Sequence, residues 1–378
     1  MNFRIEVRLD SPTAISERRA MGNVYQTVDR IPGRGLRGAL AAAYLNHGGS
    51  AADPEFVNLF LDSNSRFSDC LPGRSETAPL SLRLCREKGE EGEHQPIDLL
   101  LIRGTGGREP AECEVGACGA KLGTVSGNIE WQRNGGYWGA KRAQTRQVAH
   151  VEIDRESGKA RSGQFHTAEI LEPGQRFRGT IRAKPEVEDT IRALAAGPVW
   201  LGRGQTRGQG RARVAILEKK EMEDAKALTR RLVEFQREAE ALEFYRGKAV
   251  FAVKLESAAM LLDQWLRPRA GMTGADLDSS LVRYRLLGHF AGMRRQGGWH
   301  QKAQLPRPDE WVVQAGSVYL FGVDTADAAG ALGEAAEGLA RAQERGVGEK
   351  LREGFGEISI ASRVFWQRAY RGGEKEGK

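Results

Sequence analysis

Four residues with metal-binding side chains lie in a polar, glycine-rich part of the chain. They are Cys85, His94, Cys113 and Cys118. Three thiolates and one imidazole complete the tetrahedral shell that structural zinc prefers. The sequence therefore predicts one structural zinc ion, and the alternative is a set of unrelated reduced cysteines. Cys70 lies in an apolar stretch before this segment and is expected to be a buried thiol outside the site.

A glycine-rich turn at residues 201–213 carries four glycines and four arginines. Glycine permits positive φ and close approach of another chain to its amides. Each guanidinium offers a planar fork of donors that fits phosphate. The turn therefore predicts anion binding. A nucleotide-binding loop is excluded, because a strand-like stretch follows the glycines instead of a helix and the Lys-Ser/Thr pair is missing.

A second candidate phosphate site opens the first predicted helix. Residues 31–40 read Ile-Pro-Gly-Arg-Gly-Leu-Arg-Gly-Ala-Leu. Free amides at a helix amino terminus attract anions, and Arg34 and Arg37 flank this one. The alternative is that both arginines belong to a solvated face.

Aromatic and basic residues are interleaved between residues 127 and 150. Aromatic rings stack on bases while cations follow phosphates. No helical or strand period covers the stretch, so it predicts a mobile nucleic-acid-binding loop. The alternative is a disordered insertion with locally packed aromatics. The candidate contacts are Trp131, Tyr137, Trp138, Lys141 and Arg142.

Four histidines are candidate general bases, with Tyr25 or a neighbouring lysine as a possible helper. They are His150, His166, His289 and His300. General acid–base chemistry needs two groups within hydrogen-bond reach of one substrate. No pair of these histidines has a diagnostic spacing, so structural or surface roles are the expectation.

The elements that would position these residues form a repeated pattern. A strand is predicted at residues 2–9, because apolar and charged residues alternate there. Helix, glycine turn and strand then follow near residues 185–217, and the same order returns at residues 317–360. Residues 281–295 occupy the position of the first helix in the second unit. The order indicates an internal repeat of architecture.

Length and charge set broader limits. A chain of 378 residues fits about two domains. The net charge of +7 favours a polyanionic partner, and a solvated charged face is the alternative. No apolar run is long enough to span a bilayer. Charged residues interrupt the apolar residues of the amino terminus, which lacks a signal-peptide core. A cytoplasmic protein with reduced cysteines and no membrane partner is expected.

Three patterns together resemble the CRISPR-associated repeat-associated mysterious protein (RAMP) superfamily. They are the repeated glycine turns, the Pro-Gly-Arg-Gly-Leu-Arg-Gly opening of the first helix and the segment 169–179. The resemblance spans most of the chain, and residues 79–98 look most like the type III-D member that caps the crRNA. The expected fold class is α+β, with two tandem ferredoxin-like (RRM-like) domains that carry glycine-rich loops. The first domain would be enlarged by a zinc-binding insertion and a basic-aromatic loop.

The expected boundaries follow from this assignment. The first domain covers 1–220, with the insertion at about 71–150, and a helical connector covers 221–247. The second domain covers 248–370, and 371–378 would be a disordered tail.

The resemblance implies a non-catalytic crRNA-binding subunit of a type III CRISPR effector complex in antiviral defence. Such a subunit holds the 5′ repeat-derived handle. The implied partners are crRNA, the large polymerase-like subunit, adjacent backbone RAMP subunits and target RNA near the handle. The RNA-binding set is Arg34, Arg37, Trp131, Tyr137, Trp138, Lys141, Arg142, Gly202, Arg203, Gly204, Arg207, Gly208 and Arg211.

Two other functions compete with this one. Some relatives with this fold cleave repeat RNA, so the enzyme alternative is a metal-independent endoribonuclease that matures crRNA. The other is a backbone subunit that polymerises along the guide. It would have one ferredoxin unit per chain, and the second glycine turn argues against it.

Overall fold

The computed structural model describes residues 1–17, 24–62, 64–89, 93–131, 137–221, 225–300, 303 and 305–370. The side chains at 137, 138, 152, 161–164, 220 and 366 also lie outside the description. The predicted disordered tail at 371–378 falls outside the described residues.

The described chain alternates short helices with many strands. The strands are β1 Asn2–Leu9, β2 Val24–Tyr25, β3 Arg66–Phe67, β4 Leu71–Pro72, β5 Glu76–Thr77, β6 Leu82–Cys85, β7 Ile97–Asp98, β8 Leu122–Thr124, β9 Asn128–Trp131, β10 Tyr137–Lys141, β11 Thr145–Ile153, β12 Ala160–Leu171, β13 Arg176–Arg182, β14 Pro198–Trp200, β15 Arg211–Lys220, β16 Lys248–Leu255, β17 Arg285–Phe290, β18 Met293–His300, β19 Leu305–Val313, β20 Val318–Asp324 and β21 Ile358–Ile360. The helices are α1 Gly33–Asn46, α2 Pro54–Phe56, α3 Leu100–Thr105, α4 Glu188–Ala195, α5 Ala225–Ala239, α6 Gly274–Leu277, α7 Ala328–Arg345 and α8 Val364–Gln367. The prediction of an α+β protein is confirmed.

The first sheet contains the strand order β14-β15-β1-β13-β3, with β4 also paired to β13. The predicted strand β1 lies at its centre, antiparallel to both β13 and β15. Phe3, Ile5, Val7 and Leu9 are fully buried, because alternate residues of a strand point to one face. The helix α1 packs its apolar side against the same core.

The second sheet has the order β17-β20-β16-β21, and every pairing in it is antiparallel. The predicted helix at residues 281–295 is wrong. The chain forms β17 there and begins β18, and the helix before them is the short α6. Gly288 of β17 gives a physical reason. A Cβ at this position would lie 2.9 Å from the Gly104 amide nitrogen, so α3 packs directly on the strand.

Part of the segment 71–150, which the sequence predicts as an insertion in the first domain, contacts residues of the second half of the chain. Tyr245 donates a hydrogen bond to the Leu101 carbonyl of α3. Leu80 donates its amide to the Gly316 carbonyl over 2.8 Å. The buried ammonium of Lys254 donates to the Thr77 carbonyl over 3.1 Å. These contacts tie residues 77–101 to the second sheet.

The prediction of a mobile basic-aromatic loop within 127–150 is wrong for the residues that the structure describes there. They form β9, β10 and the first part of β11 instead. The long strands β11 and β12 pair as an antiparallel hairpin. Most described side chains along β11 are exposed on both of its faces. The apolar alternation that marks a half-buried strand is therefore missing.

None of the helices within the described ranges is long and apolar enough to cross a membrane.

Candidate nucleic-acid interface and metal centre

The two glycine-rich turns share one backbone design. We refer to residues 201–210 as the first turn and to residues 347–356 as the second turn. In each, the first residue donates its amide to the carbonyl of the last, over 2.8 Å and 2.9 Å. The third residue of each turn donates its amide to a carbonyl in the segment that follows the central strand of its sheet, β1 or β16. The partners are Ala14 for the first turn and Met260 for the second.

Glycine is required at the second position of both turns. Gly202 has φ +69° and Gly348 has φ +79°. A Cβ would lie 2.1 Å from the Ala14 carbonyl oxygen in the first turn and 2.3 Å from that of Met260 in the second. Gly202 is therefore fixed by the architecture of the turn.

The two turns differ in their surroundings. Gly208 of the first turn is exposed, and nothing lies within 4 Å of the position of its Cβ. The equivalent Gly354 lies against the first domain, where its Cβ would be 2.9 Å from the Phe67 carbonyl oxygen and 3.3 Å from the Gly33 Cα. The second turn therefore joins the two halves of the chain, while the first turn faces solvent.

The charges of the two turns also differ. Arg203 and Arg207 of the first turn, and Arg211 directly after it, are exposed and make no ion pair with any carboxylate in the described residues. In the second turn, Lys350 pairs with Glu310, and Glu353 pairs with Arg307 at 2.7 Å. Uncompensated guanidiniums are free to bind phosphate, so the first turn has the features of an anion site.

Two histidines lie beside the first turn. His150 and His166 are directly opposite in the β11–β12 hairpin, and their rings stack with centroids 5.0 Å apart. Tyr25 lies edge-on to the His166 ring at 5.8 Å, because β2 pairs in parallel with β12. The Arg203 guanidinium lies 4.0 Å from the centroid of the Tyr25 ring. We call Tyr25, His150, His166 and Arg203 the histidine cluster.

Electrostatics favours a neutral imidazole at His166. Burial lowers the pKa of His166, and the positive charges of His150, Arg203 and Arg207 lower it further. A neutral imidazole accepts a proton, and a neighbouring cation stabilises a phosphorane-like transition state. The cluster therefore contains the groups needed for metal-independent phosphodiester chemistry.

The other two candidate bases lie elsewhere. His289 stacks on Tyr319 of the second sheet, with ring centroids 6.0 Å apart. His300 ends β18 and accepts a hydrogen bond from the Ala303 amide. Neither belongs to the histidine cluster.

The start of α1 uses its donors within the protein. The Gly33 amide donates to the Asp69 carboxylate over 2.9 Å. Arg34 donates to the Gly297 carbonyl over 2.8 Å, and Arg37 donates twice to the Phe60 carbonyl. A bound phosphate would have to displace these partners, so the geometry does not favour RNA contacts by Arg34 and Arg37.

The predicted aromatic contacts are distributed over β9 and β10. Trp131 donates its indole N–H to Glu76, and Lys141 lies 3.7 Å from Glu130. Arg142 is exposed. The side chains of Tyr137 and Trp138 lie outside the described part of the chain.

The predicted metal ligands converge on one point. The ligand atoms of Cys85, His94, Cys113 and Cys118 all lie within 4.8 Å of one another. The sulfur atoms of Cys85 and Cys118 are 3.8 Å apart, and the Cys113 sulfur is 3.2 Å from His94 Nδ1. Tetrahedral zinc with Zn–S bonds of about 2.3 Å requires sulfur atoms roughly 3.8 Å apart. The donor set and its spacing therefore fit one metal ion.

The local backbone supports a thiolate at Cys85. Burial raises the pKa of the Cys85 thiol, but the amides of Lys88 and Glu87 and the neighbouring His94 and Cys118 side chains lower it to about 6. Burial raises the pKa of Cys113. Cys70 is fully buried in the first core and does not join the metal-binding group, as expected.

Comparison with solved structures gives distant matches. A Type III-B Cmr-beta complex bound to cognate target RNA and AMPPnP contains a chain that is 10% identical, with 84% of this chain and 86% of that chain covered and a TM-score of 0.42. A Cmr-beta apo structure matches at 11% identity and a TM-score of 0.34, with 58% of this chain and 98% of that chain covered. A Cas6 product complex matches at 13% identity and a TM-score of 0.32, with 50% and 81% covered.

These neighbours are RAMP-type CRISPR proteins. At these identities and TM-scores, the matches do not assign a function to this chain. No protein-family model and no curated protein matches it.

Sequence reasoning named Tyr25, His150 and His166 but did not bring them together. Their proximity comes from the pairing of β11 with β12 and of β12 with β2. A turn signal at residues 154–158, Asp-Arg-Glu-Ser-Gly, lies between the two histidine-bearing strands. It could have predicted the hairpin.

Proposed function

We propose that the protein is a non-catalytic crRNA-binding subunit of a type III CRISPR effector complex. It holds the 5′ repeat-derived handle on its first turn and docks on the large polymerase-like subunit. One observation carries this proposal: Arg203, Arg207 and Arg211 are exposed and make no ion pair with a described carboxylate, whereas Lys350 and Glu353 of the second turn are ion-paired within the chain. The sequence resemblance supplies the identity of the RNA.

The strand orders support two ferredoxin-like units. That fold places its strands in the order 4-1-3-2. In the first half, β15, β1, β13 and β3 take these positions, and in the second half β21, β16, β20 and β17 do. The matching design of the two turns supports the same internal duplication.

The binding experiment compares RNA that carries the repeat handle with an unrelated RNA of equal length, over a salt series. We expect the combined Arg203→Ala, Arg207→Ala and Arg211→Ala variant to bind more weakly. The slope of log K against log salt should fall by about one unit for each phosphate contact that is lost. The matched control is Arg352→Ala, an exposed arginine of the second turn that donates to the Leu61 carbonyl. Equal affinities and slopes for the triple variant and the wild type would reject the first turn as the RNA site.

The bound metal is proposed to be structural zinc. Three sulfur atoms and one imidazole nitrogen form the donor set, and all four residues are buried or half-buried. Zinc is the metal that this set prefers in closed structural sites. Because no ligand position would remain for water, a role in RNA chemistry is not part of this proposal.

The second candidate function is metal-independent cleavage of repeat RNA, and the stacked pair of His150 and His166 favours it. One imidazole would take the proton from a 2′-hydroxyl, whose oxygen attacks the adjacent phosphorus. The other would protonate the departing 5′-oxygen as the P–O5′ bond breaks, leaving a 2′,3′-cyclic phosphate. Arg203 would stabilise the added charge on the phosphate.

The cleavage experiment incubates purified protein with repeat RNA in EDTA. The binding proposal predicts intact RNA. Site-specific products that disappear with His150→Ala or His166→Ala, and with a 2′-deoxy residue at the cleaved position, would establish the enzyme instead. Tyr319→Phe is a matched control, since Tyr319 contacts a histidine outside the cluster.

A further inference from the structure

The β18–β19 hairpin presents aromatic side chains to solvent. Trp299 is 51% exposed and Trp311 is 47% exposed. Arg295 lies directly opposite Trp311 in the register, with its guanidinium carbon 5.5 Å from the ring centroid. Trp299 lies four residues beyond Arg295 on β18 and pairs with Pro306, and the register of the hairpin shifts between Gln296 and Gly298. We call the side chains of Arg295, Trp299 and Trp311 the outer face of the hairpin.

The opposite face of the hairpin is fixed to the first domain. Glu17, with a side chain only 3% exposed, accepts a hydrogen bond from Gln296 over 3.0 Å and lies 3.5 Å from Arg294. The Gly297 amide donates to the Glu17 carbonyl over 2.8 Å. Arg34 donates to the Gly297 carbonyl. A buried ion network therefore holds the hairpin in one orientation.

The same segment links the hairpin to the first turn. Ala14 accepts the Arg203 amide, and Glu17, three residues later, accepts the Gly297 amide. Three extended residues span about 10 Å. The middle of β18 therefore lies close to the segment that binds the Arg203 amide.

We propose that the outer face of the β18–β19 hairpin is a base-stacking platform for single-stranded RNA that continues from the first turn. This inference rests on the proposed RNA-binding function. Two rigid indole rings offer stacking surfaces that accept any base. Arg295 makes no ion pair with a described carboxylate, and stacking on Trp311 leaves its edge donors free for a phosphate.

An RNA partner accounts for the outer face better than a protein partner does. A protein cleft that covered both indoles would also bury the Arg295 charge, which needs a matching carboxylate. Along RNA, bases alternate with phosphates, so the same strand satisfies the rings and the cation. Met293 and Leu305 are exposed apolar residues of the same hairpin, and apolar side chains also suit a protein partner. A protein partner is therefore the alternative outcome of the test.

The experiment measures binding of fluorescein-labelled oligouridylate to the full-length protein, with one oligomer of about 20 nucleotides and one of about 6. The variants are Trp299→Ala, Trp311→Ala and Arg295→Gln. We expect each tryptophan change to weaken binding of the long oligomer about 5- to 150-fold with an unchanged salt slope. Arg295→Gln should lower the slope by about one unit. The matched control is Trp265→Ala, which removes an indole that is 70% exposed on the loop at residues 263–267.

The outcomes separate this inference from the proposed function. If the triple arginine variant of the first turn loses binding while the tryptophan variants match the wild type, the platform is wrong and the first turn stands. If the tryptophan variants lose binding and the triple variant does not, the platform stands and the first turn fails. If Trp265→Ala lost as much RNA affinity as Trp299→Ala and Trp311→Ala do, the platform would be overturned. Unchanged RNA affinity together with loss of a co-purifying protein would assign the outer face to a protein partner instead.

Discussion

At the scale of single residues, the histidine cluster shows how tertiary pairing creates chemistry that spacing does not reveal. His150 and His166 are sixteen residues apart, yet they stack across a hairpin. The sequence supplied the residue types, but the register of β11 and β12 decided which of them meet. The metal ligands behaved differently. Their predicted set converges as a whole, because three thiols and an imidazole in one polar segment leave few other combinations.

The first prediction concerns the pKa of His166. Positive charge on Arg203 and Arg207 disfavours the imidazolium, so removing either charge should raise this pKa. We expect Arg203→Ala and Arg207→Ala each to shift the imidazole titration upward when it is followed by NMR. Arg211→Ala is the control, because Arg211 is not among the charges that act on His166. An unchanged titration in both test variants would contradict the described arrangement.

The second prediction concerns the metal. Protein purified without added zinc should contain about one equivalent, and Cys113→Ser with Cys118→Ser should remove it. Cys70→Ser is the control for loss of an unrelated thiol and should retain the metal. Retention of full zinc by the double variant would show that these residues are not the ligands.

At the scale of elements, α3 begins at a buried carboxyl group. Asp98 is 1% exposed and accepts hydrogen bonds from the Ser81 hydroxyl and the Leu100 amide. Burial raises the pKa of Asp98 to about 7. The folded protein therefore holds this proton more tightly than the unfolded chain, so the contribution of Asp98 to stability is fully present below about pH 4 and is lost as pH rises to about 7.

The third prediction follows from the direction of this pH dependence. Asp98→Asn should keep the helix start but remove one titrating group. The slope of the unfolding free energy against pH should become less negative or more positive than in the wild type, by at most about 1.4 kcal/mol per pH unit between pH 4 and 7. Denaturant unfolding over a pH series measures this. A residual slope is expected, because burial also raises the pKa of Glu357 to about 7. An identical pH profile in variant and wild type would show that Asp98 does not titrate in this range.

The fourth prediction compares the two turns. Gly208 and Gly354 have similar φ angles, +77° and +86°, so alanine strains both backbones by roughly 1–2 kcal/mol. Only Gly354→Ala also meets the Phe67 carbonyl. We expect Gly354→Ala to lower the unfolding free energy by at least about 1 kcal/mol more than Gly208→Ala does. Equal losses in thermal or denaturant unfolding would contradict the packing of the second turn on the first domain.

At the scale of the whole molecule, the sequence predicted the α+β class and β1, the central strand of the first sheet. It did not predict that residues 77–101 pack on the second sheet. Such contacts depend on the complementary shapes of segments that lie far apart in the sequence. The short first helix of the second unit was also missed. In the second half, α3 covers β17 in place of a long local helix, although α3 comes from the first half of the chain. The sequence near residue 281 contains no pattern that indicates this.

The fifth prediction concerns cooperativity. Because the second turn packs on α1 and α3 packs on the second sheet, the halves should unfold together. We expect one thermal transition for the full chain, with coincident curves by circular dichroism and tryptophan fluorescence. Two resolved transitions would show that the halves are thermodynamically independent.

The burial of the second turn also limits how the chain can assemble. Head-to-tail growth of a filament needs a donor surface and an unoccupied acceptor on every subunit. Here the Gly354 segment of the same chain already packs against the start of α1. A second copy would have to displace this segment before it could dock there.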